Sequence, residues 1–151
     1  MANTQAMCTS FKGELLVGHH NFGVGVTRGA TTADTFKAAL YLASATYNAS
    51  TTAYSATGEV SGTNYTAGGV TITNATAPNT SGTTAFWTPS ASFAWTTVTL
   101  STAFDAVLVY NSTQSNKAVS VHTFGSQTVS AGNFTLTMPA NDATNALIRV
   151  A

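Results

Sequence analysis

Apolar and hydroxyl side chains alternate through the last third of the chain. Phe134, Leu136 and Met138 are interleaved with Thr135 and Thr137. Upstream, Val119, Val121 and Thr123 share one parity while Ser120, His122 and Phe124 share the other. A period of two sends successive side chains to opposite faces of a pleated strand, so these stretches are predicted strands with one dry and one wet face. A run at 104–110 meets a polar break at 111–117, a strand follows at 118–124, and Gly125 and Ser126 make a second break. Short strands at 127–129 and 134–138 then complete an antiparallel meander.

Earlier in the chain the same pattern recurs in shorter pieces. Phe36, Ala38, Leu40 and Leu42 share a parity in 36–42, and 70–73 alternates briefly. Segments 84–87, 92–95 and 98–100 read as strands interrupted by a turn or bulge near Pro89, and 146–151 is a final strand. The Ser/Thr/Ala-rich stretch 43–57, with Tyr47 and Tyr54 set in it, is expected to be a long surface connection. Pro78, Asn79 and Gly82 mark 75–83 as a loop. Trp87 and Trp95 are expected core anchors, because large aromatics dominate burial in small β domains.

One stretch reads as helix. In 5–18, Met7, Phe11 and Leu15 fall at i, i+4 and i+8, and Gly18 can close the last turn, although Gly13 weakens the pattern. This stripe either packs on its own domain or lies as an arm on a neighbouring subunit. Nothing else breaks the β pattern. The expectation is an all-β, antiparallel two-sheet sandwich, jelly-roll-like, with a short N-terminal helix or arm at 1–29 and the sandwich at 30–151.

Composition narrows the functional classes. Charged residues make up 7% of the 151, far below the roughly 25% of ordinary soluble chains, and the net charge is zero. No basic stripe suits nucleic acid, and no apolar run approaches a membrane span. Cys8 is the single cysteine, so an internal disulfide is excluded. A surface this poor in charge suits a protein held in a large assembly.

Candidate chemistry is sparse. His19 and His20 are adjacent, which rarely serves one metal ion, and no carboxylate lies near them in sequence. Gly23, Gly25 and Gly29 miss the spacing of a phosphate-binding loop and are expected to form a flexible connection. Phe124-Gly-Ser-Gln lacks the Gly-x-Ser-x-Gly elbow. Glu14, Asp34, Glu59, Asp105 and Asp142 form no telling carboxylate pair. No catalytic, metal or cofactor residue is expected, and the chain is read as a non-enzyme.

Several segments carry a resemblance. Ser10-Phe-Lys-Gly-Glu-Leu-Leu16 with His19, Phe36-Lys-Ala-Ala-Leu-Tyr41 and the stretch 52–69 resemble small structural proteins of tailed bacteriophages. So do Ala106-Val-Leu-Val-Tyr-Asn111, Val129-Ser-Ala-Gly-Asn-Phe-Thr135 and 141–149. The resemblance implies a virion protein, most like a capsid decoration or cement protein that bridges neighbouring capsid subunits on the outside of the head. Its implied partners are the major capsid protein and further copies of itself, as dimer or trimer, after assembly in the host cytoplasm. Expected interface residues are Met7, Phe11 and Leu15 in the helix and Tyr47 and Tyr54 in the loops. On the arm reading, a charge at Phe11 would leave the fold intact and lower capsid occupancy. The alternative is a tail or head-fibre module binding cell-surface glycan through Trp87, Trp95 or the tyrosine loops.

Overall fold

Eight strands, all antiparallel, make up the body of the computed structural model, which describes residues 3–8, 11, 15, 19–20, 22, 33–73 and 76–151. They are β1 (Ala6–Met7), β2 (Phe36–Leu42), β3 (Val70–Thr71), β4 (Asn79–Ser81), β5 (Thr84–Trp87), β6 (Phe93–Asn111), β7 (Lys117–Leu136) and β8 (Ile148–Val150). One sheet runs β1-β7-β6-β2-β3 and the other β4-β5-β8, giving the two-sheet sandwich that the alternation foretells.

The strand β2 departs from the one-sided burial its parity suggests. Phe36 and Ala38 to Tyr41 are all buried, because β2 lies inside its sheet and is covered on both faces. Its two alanines leave room for the chain at 66–69 to cross. Gly69, at φ +71°, sits so close that a Cβ there would overlap the Ala38 carbonyl oxygen. Only glycine suits that approach.

The largest departure lies in β6 and β7. The breaks expected at 125–126 and 130–133 do not occur; both strands run on as one ribbon, paired from Asn111↔Lys117 out to Phe93↔Leu136. The ribbon absorbs its irregular residues as bulges, with register shifts between Trp95 and Ala106. Thr97 (φ 54°) and Ala131 (φ 47°) take left-handed backbone there. Side chains replace the missing ladder bonds: Thr97 N–H donates to Asn133 Oδ1 at 2.8 Å, and Ala131 N–H to Thr99 Oγ1 at 3.1 Å. Bulges bend and twist a strand pair. Here the ribbon curls until the Phe134 ring lies 5.0 Å from Phe104 and 5.3 Å from Phe124. Burial of Phe93, Trp95, Val98 and Leu100 follows from that curl.

The N-terminal segment corrects the start of the expected helix. Ala6 and Met7 form β1 on the edge of β7, paired Ala6↔Val121 and Met7↔Ser120, while Phe11 and Leu15 have helical backbone. The free β7 edge offers backbone partners that outcompete a first helical turn. The other residues of 9–18 and the glycine run 23–29 lie outside the described residues. Asn79–Ser81, expected in a loop, pairs with β5 as an exposed edge strand.

Candidate functional site

All five tyrosines of the chain gather on one side of the sheet, around the carboxylate of Glu59. Glu59 Oε2 accepts from the Tyr54 hydroxyl at 2.7 Å, and Oε1 accepts from the Tyr65 hydroxyl at 2.7 Å and Gly68 N–H at 2.8 Å. The Tyr65 oxygen in turn accepts from Leu40 N–H of β2 at 3.0 Å. Tyr110 stacks on Tyr54 at 4.8 Å and donates to Gly68 O at 2.8 Å. Tyr41 and Tyr47 both donate to Ser55 O, and Tyr47 also reaches Thr57 O. Burial, reinforced by the nearby Glu59 charge, holds these phenols above the usual tyrosine range, with Tyr110 pushed up to about 12. They are hydrogen-bond donors fixed in the protonated state. The carboxylate gathers Tyr54, Tyr65 and Gly68 of the chain between β2 and β3, and the Tyr65 bond to Leu40 together with backbone bonds such as Val60 N–H to Leu40 O ties that chain to the sheet.

A second network closes the β6–β7 turn. Asn111 Oδ1 accepts from Thr113 and Gln114 N–H at 3.1 Å each, which fixes the orientation of its amide. Its Nδ2 therefore donates to Asp34 Oδ2 at 2.7 Å and meets His20 Nδ1 at 3.2 Å. An acceptor Nδ1 places the proton of a neutral His20 on Nε2. All three side chains are buried, and Phe11 packs edge-on against both the imidazole and Phe22. In a third network Asn3 Nδ2 donates to Asp105 Oδ1 at 2.6 Å and to Leu42 O, while its Oδ1 accepts from Tyr47 N–H.

One nucleophile and one base do meet. Ser120 Oγ and His122 Nε2 are 2.8 Å apart on β7, at the edge of a groove of about 470 Å³ between β1 and β8. Burial drops the His122 pKa to about 4, so the ring is neutral at pH 7. The shared parity of residues 120 and 122 carries this pair in the sequence, although it forms no elbow motif. Hydrolytic chemistry also needs an orienting acid on Nδ1 and donors for an oxyanion. Among the described residues no contact supplies either, and Ser120 is buried. No cluster of three or more His, Cys, Asp or Glu able to hold a metal ion forms among the described residues.

The five expected interface residues are not brought together. Phe11 is sealed in the core beside His20 and Phe22, and Tyr47 is buried against Tyr41 with ring centroids 3.7 Å apart. Tyr54 is half-buried on Glu59; Met7 lines the groove beside β1, and Leu15 shares with Phe11 the lining of a separate apolar cavity. Trp87 and Trp95 are core anchors, 2% and 3% exposed. No protein-family model matches the chain, and neither does any curated protein or solved structure.

Proposed function

We propose that this chain is a structural protein of a tailed-bacteriophage virion, a capsid decoration protein that stabilises the head by bridging neighbouring capsid subunits. The observation that carries this reading is the use made of polar side chains. Glu59, Asn111 and Asn3 each spend their hydrogen bonds holding backbone and loops in place. A loop-bearing β body locked in this way, with 7% charged residues, offers neighbouring proteins a rigid and weakly charged contact surface. The resemblance of the segments around 36–41, 52–69 and 129–135 supplies the virion context. The major capsid protein is the proposed partner, with further copies of the chain as dimer or trimer around a capsid axis.

Glycan binding through the tryptophans is the weaker alternative. Stacking needs an exposed ring face, and both indoles are inside. Imaging of intact particles decides between the two: many ordered copies over the head are expected, and a few copies confined to the tail would refute the decoration role.

A further inference from the structure

The smaller sheet is two strands narrower than the sheet it faces, and it stops at β8. That strand pairs with β5 through Ala85↔Val150, Phe86↔Arg149 and Trp87↔Ile148, and among the described residues no strand pairs with its other edge. Beside β8 lies the groove of about 470 Å³, bordered by Gln5 to Met7 of the β1 segment and by Ser120 to His122 of β7. The groove thus stands between the terminal strands of the two sheets. Ile148 also lines a second, apolar cavity of about 430 Å³ with Phe86, Trp87 and Val150. At 42%, Val150 is the one large hydrophobic side chain exposed among the described residues.

We infer that the open edge of β8 is a docking site for one extended strand of a different protein chain, with an acidic side chain opposite Arg149 and apolar side chains on either side. A strand edge presents backbone donors and acceptors at a regular spacing, which another backbone matches and a small molecule does not. Residues facing each other across a strand pair share a face. Partner side chains opposite Ile148 and Val150 therefore point with them toward the apolar cavity, and the one opposite Arg149 points with the guanidinium. Pairing with a second copy is disfavoured by symmetry. A twofold antiparallel pairing of this three-residue strand brings Arg149 against its own counterpart, like charge on like. The inference is independent of the virion reading, since it concerns the pattern of the partner strand and not its source.

Amide hydrogen exchange on the full chain, with and without a short peptide alternating valine and glutamate, tests the site. At saturating peptide, the β8 amides directed away from β5 are expected to exchange at least about tenfold more slowly. A valine–lysine peptide should protect them less, and the Arg149→Glu variant, its fold checked by near-ultraviolet dichroism, should reverse that preference. A peptide N-methylated on its pairing edge should not protect them. Protection indifferent to N-methylation or to charge, or no protection in β8, overturns the proposal. So does a dimer of the chain alone with those same amides already protected, which would assign the edge to a second copy.

Discussion

The Phe11 ring has no solvent-exposed surface, and its nearest aromatic neighbours are the His20 imidazole at 4.7 Å and Phe22 at 5.8 Å. A carboxylate placed there would have to be desolvated inside an aromatic cluster. Phe11→Glu is therefore expected to destabilise the fold by at least about 3 kcal/mol, seen as a lowered denaturant midpoint. An unchanged midpoint with lower capsid occupancy would instead restore the arm reading. Tyr65 is a second sensitive position, since its hydroxyl both donates to Glu59 and accepts from Leu40 N–H. Tyr65→Phe removes both bonds and is expected to cost about 1–3 kcal/mol, with faster amide exchange at Leu40 as its local signature. If Leu40 exchange is unaltered, the phenol does not fasten β2.

At the scale of elements, the β6–β7 ribbon places Thr97, a β-branched residue, at φ 54°. Left-handed backbone costs such a residue roughly 1–2 kcal/mol. Thr97→Gly is expected to raise stability by about 1 kcal/mol, part of the relief being lost to the freer unfolded chain. Asn133→Ala should lower it by a similar amount, about 1 kcal/mol, because Thr97 N–H loses its acceptor. Equilibrium unfolding of both variants checks the pair. The ribbon also shows which elements were legible in the sequence. Segments 36–42 and 84–87 appear with the boundaries their patterns suggest, because there the apolar residues and the strand ends coincide. The alternation of Phe134 and Leu136 with Thr135 likewise survives as alternating burial. Gly125 and Ser126 were misleading. Local turn propensity is weak beside the continuous pairing that the bulged partner strand supplies. Tyr47 and Tyr54 were legible as loop aromatics, but not Tyr54 as a ligand of Glu59 or Tyr47 as a donor to Ser55 and Thr57, since no local period links residues brought together by a crossing loop. Ala6–Met7 was hidden for a similar reason: a distant strand edge, not the helical stripe, sets its conformation.

For the molecule as a whole, pH is the simplest probe. His122 is held at about 4 when folded against 6.5 unfolded, so between those values the unfolded chain binds a proton that the folded chain refuses. Stability is unaffected by this group above pH 6.5 and falls as pH drops toward 4, by about 1–3 kcal/mol given the ring's partial exposure. Denaturant titrations across that range should show the loss, and a His122→Gln variant should flatten it. The phenols act at the other extreme. Their raised pKa values keep the folded state protonated after the unfolded chain has begun to ionise, so stability declines as pH climbs past 10.

The curl of the ribbon has a mechanical corollary. Because β6 and β7 stay paired along their whole length, bulges included, load applied along the chain travels through peptide bonds and cross-strand pairing, not across a greasy seam between separable halves. Such a body should resist being prised open from its edges, and no cut through the ribbon would leave two fragments each able to stand alone.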